Sequence, residues 1–519
     1  MRSDTKGEEM SDATYVGAID QGTTGTRFMI FDHAGEVIAR AYEKHEQIYP
    51  EPGWIEHDPT EIWKNTEIVV REALDTAGID AAQLAAIGIT NQRETTMIWD
   101  DDSGSPVYNA IVWQDRRTTD RVEELEEAGK VEEIRAKTGL EADAYFSATK
   151  AEWLLDNADP LKTQRARPAD LRDRAAGGEL RFGTIDTWLI HRLTGNHITD
   201  VTNASRTMLF DIHDMAWDDE LLEEFRVPGE MLPEVRPSSD DDFYGTTDPE
   251  GFLGAEVPVA GALGDQQAAL FGQACFDPGD AKNTYGTGSF FLLNTGEEAV
   301  ESDQGLLTTV GFQRSGEPVQ YALEGSIFVT GAAIEWLEDV DLINNAAQTA
   351  DLARSVDSTD GVYFVPAFTG LGAPHWDGRA RGTIVGMTRG TRKEHIVRAV
   401  LESIAFQTRD VAEAMVADAD LEINSLQVDG GAVRNDFLCQ QQADIVGTEI
   451  VRPAVDETTA LGAAYAAGLA VGYWVDYDDL RKNWRVERTF EPTDDATVDD
   501  RYARWTEAVE RSRDWAREE

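Results

Sequence analysis

Cysteine is nearly absent from this 519-residue chain: only Cys275 and Cys439 occur, beside eight histidines. Two cysteines cannot staple a disulfide scaffold, and no paired Cys/His spacing marks a zinc site. No apolar run reaches the roughly 20 residues that a membrane-spanning helix needs, which argues against insertion in a bilayer. Positive charge is scarce, with 46 Lys and Arg against 98 Asp and Glu and a formal net charge of −52. A surface of that sign repels nucleic acid and anionic membranes, so neither is expected as a partner. The Walker phosphate loop and the dinucleotide G-x-G-x-x-G fingerprint are missing too, which removes the commonest nucleotide-binding folds. Residues 1–13 lack the apolar centre of a secretory signal and read as a flexible extension of a cytoplasmic protein.

What is present points to a large folded protein. Single cores stop growing at about 250–300 residues, so the length suits two domains, and 41% apolar residues suffice to fill them. The acid is spread in patches such as Asp240, Asp241 and Asp242 rather than held in one tail. That spread resembles proteins of salt-loving cells, where about 1 M salt shortens the Debye length to roughly 3 Å and makes self-repulsion tolerable. Strand, Gly/Thr turn and strand follow one another at Tyr15 to Phe31, and the unit recurs at Ala281 to Leu293. Helical spacing follows Pro59 and Thr60 in Glu61 to Arg71, and apolar strands appear at Ala86 to Thr90 and Leu426 to Asp429. Such alternation predicts α/β layers with mixed sheets in two related lobes. The expected division is an N-terminal lobe over 14–265 and a C-terminal lobe over 266–519, the latter ending in an amphipathic helix from Val498 to Glu519.

Phosphates need many backbone N–H donors at close range, and Gly/Thr turns at strand ends supply them. Asp20-Gln-Gly-Thr-Thr-Gly-Thr-Arg27 has that chemistry, with an acid able to hold Mg²⁺ directly or through water. Alone this turn could be a plain hairpin. A second turn, Tyr285-Gly-Thr-Gly-Ser289, and a third, Val428-Asp-Gly-Gly-Ala-Val-Arg-Asn435, join it. The set resembles the actin/hexokinase/heat-shock ATPase superfamily. That resemblance implies two ribonuclease H-like lobes, mixed sheets flanked by helices, and an active-site cleft between the lobes.

Four further segments carry acceptor chemistry: Ile89-Thr-Asn-Gln-Arg-Glu-Thr-Thr96, Val112-Trp-Gln-Asp-Arg-Arg117, Ala144-Tyr-Phe-Ser147 and Gly264-Asp-Gln-Gln-Ala-Ala-Leu-Phe-Gly-Gln273. With Gly183 to Ile190 and Asn203-Ala-Ser-Arg-Thr-Met-Leu-Phe210, they closely resemble the glycerol kinases of the FGGY carbohydrate kinase family over nearly the whole chain. The resemblance implies transfer of the γ-phosphoryl group of ATP to glycerol, giving sn-glycerol 3-phosphate and ADP, the first step of glycerol catabolism. It assigns Asp265 as general base and Arg93, Glu94, Trp113, Tyr145, Gln266 and Phe290, with Asp265, to glycerol. Thr23, Thr24, Gly25, Arg27, Thr287, Gly331, Glu335, Gly431 and Asn435 match nucleotide contacts, and Asp20 the acid associated with Mg²⁺. Glu335 stands where the family often has Gln. A dimer or tetramer is implied as well.

Each assigned residue also has an ordinary reading. An Asp after Gly is a common turn residue, Arg93 with Glu94 could be a plain salt bridge, and aromatics mostly serve burial. Another FGGY sugar or polyol kinase, or a non-catalytic actin-like nucleotide switch, remains open. One departure is informative: where some bacterial relatives bind fructose 1,6-bisphosphate through Gly-Gly-Thr-Arg, this chain has Phe252-Leu-Gly-Ala-Glu256. An acid stands in place of the bisphosphate-binding Arg, so that inhibition is expected to be lost.

Overall fold

A computed structural model describes residues 14–158 and 168–516. The expected N-terminal extension and residues 517–519 of the expected last helix lie outside the described residues. Within them that helix runs over Val498–Ser512.

The chain forms two compact units, each discontinuous in sequence: Met1–Ala274 with Thr309–Tyr321 and Glu457–Asn483, and Cys275–Thr308 with Ala322–Asp456 and Trp484–Glu519. The first unit holds a six-stranded sheet in the order Gly245–Thr246, Pro258–Gly264, Leu84–Asn91, Tyr15–Gln21, Gly25–Phe31, Val37–Lys44. Strands Tyr15–Gln21, Gly25–Phe31 and Val37–Lys44 form an antiparallel meander. Leu84–Asn91 lies parallel to Tyr15–Gln21 on one side and to Pro258–Gly264 on the other. All eight residues of Leu84–Asn91 are buried, which explains the apolar run from Leu84 to Ile89.

The seven-stranded sheet repeats this pattern. Its order is Leu307–Phe312, Gln320–Ile327, Ser289–Gly296, Asp280–Tyr285, Ser425–Gly430, Ile450–Pro453, Val486–Phe490. Asp280–Tyr285 is antiparallel to Ser289–Gly296 and parallel to Ser425–Gly430, as Tyr15–Gln21 is to its two neighbours. Each unit has its own apolar core, one around Ile19, Ile87, Ile89 and Trp188 and one around Phe291, Val400, Ile404 and Val428.

Helix Pro59–Ala77 covers the first sheet for legible reasons. Asp58 caps it by accepting from Thr60 N at 2.8 Å, Pro59 supplies a preset φ, and Gly78 ends it at φ 69°. Ile62, Thr66, Val69, Val70 and Ala73 make its buried face.

The expected lobe division after Asp265 differs from the compact units, which divide after Ala274 and bring residues 457–483 back to the first unit. Packing supplies the reason. Helix Asp265–Gly272 lies against helix Thr458–Ala470, where a Cβ on Gly272 would come 2.0 Å from Thr458 O and one on Gly462 would come 1.9 Å from Ala268 O. The same helix rests on the sheet, with Ala463 O 2.0 Å from where a Cβ on Gly88 would stand. Only an Ala/Gly-rich helix fits that closely, and the sequence places it roughly two hundred to more than four hundred residues after the strands it covers.

Candidate active site

Three strand ends of the first sheet carry its chemistry. Tyr15–Gln21 turns into Gly25–Phe31 with Gly22 N donating to Gly25 O at 3.0 Å. Thr23 is anchored from two sides: Trp113 Nε1 donates to its hydroxyl at 3.0 Å and Gln47 Nε2 to its carbonyl at 2.9 Å. Gln47 is itself held by His57 Nε2 at 3.0 Å, while Gln92 Nε2 meets His57 Nδ1 at 3.3 Å. Burial and the neighbouring His45 push the His57 imidazole down to about 3, so it stays neutral, accepting at Nδ1 and donating at Nε2. Thr24 is exposed, its hydroxyl 3.2 Å from Tyr42 Oη.

Asp20 and Arg27 face each other across this hairpin at 3.4 Å, and Arg27 also pairs with Glu457, which Arg40 meets at 3.3 Å. Arg27 therefore carries carboxylate neighbours as well as its own charge. Burial raises the Asp20 carboxyl to about 6; Arg27 opposes the shift, and Glu457 and Asp265 add to it.

Leu84–Asn91 delivers Arg93 and Glu94, both almost fully buried. Glu94 sits at φ 59°, a left-handed conformation that costs a non-glycine residue of order 1–3 kcal/mol and clusters at functional sites. Arg206 Nε donates to Glu94 Oε1 at 2.7 Å, and the Arg206 guanidinium lies 5.7 Å from the centre of the Tyr145 ring. Arg93 reaches Asp265 Oδ1 at 3.3 Å, Gln267 Oε1 at 3.2 Å and the Tyr145 hydroxyl at 3.5 Å. Trp113 meets Tyr145 edge-on at 5.6 Å.

Pro258–Gly264 delivers Asp265 as the first residue of helix Asp265–Gly272. Gly264 N donates to Thr202 Oγ1 at 2.9 Å, and a Cβ at Gly264 would stand 2.7 Å from the Arg93 stem, so glycine there lets the arginine pass. Asp265 keeps 35% of its side chain accessible and accepts from Gln266 N at 2.8 Å, while Gln266 itself is buried.

The first unit thus brings together Asp20, Thr23, Thr24, Gly25, Arg27, Arg93, Glu94, Trp113, Tyr145, Asp265 and Gln266. The second unit carries the other sequence-predicted residues. Its turn at Thr287 is tied to the start of helix Gly331–Asp339, with Gly331 N donating to Gly286 O at 3.0 Å and Ala332 N to Thr287 O at 3.1 Å. The turn's carbonyls thereby satisfy the first amides of that helix and fix Thr287 against it. Phe290 is half-buried in strand Ser289–Gly296, and Glu335 is exposed. Gly431 opens a short 3₁₀ turn that follows strand Ser425–Gly430. Asn435 caps helix Asp436–Val446, accepting from Phe437 N at 3.0 Å, and donates to Thr349 Oγ1 at 3.0 Å.

Three participants escaped the sequence reading: Gln267 and Arg206, which hold Arg93 and Glu94, and Glu457, which holds Arg27. Gln267 and Arg206 lie inside segments already quoted for their resemblance, so the signal was present without a role. Glu457 gave none, because it directly precedes the helix that returns to this unit late in the chain.

Residues 15–272 match the N-terminal domain of the FGGY family of carbohydrate kinases, and residues 281–471 match its C-terminal domain. A glycerol kinase of Haloferax volcanii is 78% identical over 510 residues, covering 98% of this chain and 100% of that protein. Glycerol kinase 2 of Thermotoga maritima is 56% identical over 505 residues, covering 96% and 99%. Among solved structures, Plasmodium falciparum glycerol kinase with ADP superposes with a TM-score of 0.90 at 38% identity, covering 96% of this chain and 98% of that one. The chain belongs to the FGGY family of carbohydrate kinases.

Proposed function

We propose that the protein phosphorylates glycerol with ATP, giving sn-glycerol 3-phosphate and ADP. The observation that carries this is the acceptor cluster of the first unit: Arg93 joins the accessible carboxylate of Asp265 at 3.3 Å to Glu94 at 3.7 Å and the Tyr145 hydroxyl at 3.5 Å. Full-length identity to glycerol kinases supports the acceptor.

A glycerol hydroxyl attacks the γ-phosphorus; the new O–P bond forms as the bond to the β,γ-bridging oxygen breaks, and Asp265 takes the hydroxyl proton. In-line phosphoryl transfer asks little covalent chemistry of a protein, so placement of groups does most of the work. Arg93 fixes the base and, with Glu94, Tyr145 and Gln266, binds hydroxyls, while Trp113 and Phe290 pack on the carbon face of glycerol. Thr23, Thr24, Gly25, Arg27, Thr287, Gly331, Glu335, Gly431 and Asn435 contact the nucleotide.

Among the described residues no group of three or more His, Cys, Asp or Glu could hold a metal ion. That suits Mg²⁺ brought in on ATP, which keeps waters and phosphate oxygens and takes one or two carboxylates from the protein. Asp20, part-buried beside the first phosphate turn, fits as that carboxylate. Mg²⁺ there would neutralise charge on the phosphates. We also place the protein in the cytoplasm as a homo-oligomer; two buried, free cysteines accord with a reducing compartment.

The test is formation of glycerol 3-phosphate from ATP at high KCl, with xylulose, gluconate and other polyols as competing acceptors. Glycerol should show the highest kcat/KM. A sugar acid or ketose used more efficiently would overturn the reading.

Fructose 1,6-bisphosphate should leave the rate unchanged. Phe252 is packed edge-on against Trp63 at 5.5 Å, and the exposed Glu256 is 3.3 Å from the Thr246 hydroxyl. Arg71 stands over the Phe252 ring at 5.6 Å and Arg192 over the Trp63 ring at 5.1 Å, each against an aromatic face. Two phosphates beside Glu256 would need more positive charge than that, and a titration showing inhibition at physiological concentrations would refute the expectation.

A further inference from the structure

Helix Ser147–Asn157 begins directly after Tyr145 and Phe146, and the side chain of Lys150 on its first turn is fully buried. Its Nζ donates to three backbone carbonyls: Tyr145 O, Phe146 O at 3.1 Å and Glu94 O at 3.4 Å. Two of those residues are acceptor-cluster residues from separate segments, and Glu94 is the one held at φ 59°. The Glu94 carbonyl also accepts from Ser147 Oγ at 3.3 Å and from Thr96 Oγ1 at 2.9 Å. Thus the backbone that aims Glu94 and the backbone that aims Tyr145 meet at one amine.

We propose that Lys150 is a positioning residue for glycerol, its ammonium clamping the Glu94 and Tyr145 backbones together so that both side chains face the same substrate. The proposal rests on the reading of Glu94 and Tyr145 as glycerol contacts. It follows from donor arithmetic. An ammonium has three N–H groups for three carbonyls. A neutral amine has two, and turns a lone pair toward the third oxygen. The clamp is complete only in the protonated form.

That form is finely poised. Burial pulls the Lys150 ammonium down to about 7, against the carboxylates of Glu94, Asp115 and Asp143, with Arg116 adding to the fall. Glu94 is itself shared with Arg206 at 2.7 Å and Arg93 at 3.7 Å, so its support for Lys150 is divided. Proton loss as pH rises should relax Glu94 and weaken glycerol binding without touching Asp265.

The experiment follows glycerol KM and kcat separately over pH 6 to 9 on the full chain at high KCl. In the wild type, KM at pH 8 should be roughly tenfold that at pH 6, because only the protonated fraction binds well, while kcat rises by no more than about twofold as Asp20 finishes ionising. Calorimetry of glycerol binding near pH 8 in buffers of different ionisation enthalpy should show proton uptake. Lys150→Met should raise KM several-fold at pH 6 and abolish its pH dependence. If that variant does not fold, the wild-type KM profile and proton uptake still decide: a flat KM with no uptake overturns the proposal. Tyr145→Phe separates the two readings. If it weakens glycerol binding while Lys150→Met behaves as wild type, the clamp fails and the acceptor site stands. If neither variant alters glycerol binding, the acceptor assignment fails and the clamp with it.

Discussion

Replacing Asp265 with asparagine should lower kcat for glycerol phosphorylation by about 10²–10⁴-fold, the range that a positioned general base contributes. The change is nearly isosteric. Asparagine can still accept from Gln266 N and still neighbours Arg93, so local structure should persist. What it cannot do is take the hydroxyl proton as the O–P bond forms. ATP affinity should therefore survive, and Tm should shift by no more than a few degrees. A steady-state assay with nucleotide binding measured in parallel checks this. A kcat within threefold of wild type would remove Asp265 as the base, and ATP binding with no phosphoryl transfer in either form would favour a nucleotide switch.

The second large effect is that of salt. With a formal net charge of −52, the folded chain repels itself over the roughly 30 Å Debye length of 0.01 M salt. At about 1 M that length is roughly 3 Å and the repulsion is confined to near neighbours. Tm should rise on the order of 10 °C between these limits, corresponding to a few kcal/mol for units of this size. Activity should rise with it, because a screened surface also repels ATP less. The ion pairs at the acceptor cluster should survive that screening: the Arg206 and Glu94 side chains are almost fully buried, as is Arg117 between Glu56 and Asp115. Exposed pairs such as Arg434 with Asp456, both more than two-thirds accessible, contribute little at any salt. Thermal melts and rates across a KCl series test both halves, and full activity and an unchanged Tm in dilute buffer would refute the account.

Much of this architecture was legible in the chain. Val16, Ala18 and Ile19 before a Gly/Thr turn announce a buried strand and a hairpin, and Tyr285-Gly-Thr-Gly-Ser289 repeats the device. Asp58, Pro59 and Gly78 bracket a helix by local chemistry alone. The division between units was not legible, because helix Thr458–Ala470 joins the first sheet through glycine contacts that no local signal encodes. Nor was the network behind the acceptor residues. Lys150, Arg206 and Gln267 look like surface residues by type; their burial depends on partners contributed by distant segments.

That late helix has a consequence for biosynthesis. On the ribosome the strands Tyr15–Gln21, Leu84–Asn91 and Pro258–Gly264 emerge long before Thr458–Ala470, and chain growth at about 5–20 residues per second leaves them waiting for tens of seconds. Throughout that interval the sheet surface beside Gly88 and Gly261 has no cover, since only the backbone of the returning helix approaches there. The nascent first unit therefore keeps that surface exposed until residues 457–470 have been made, and its completion coincides with delivery of Glu457 to Arg27.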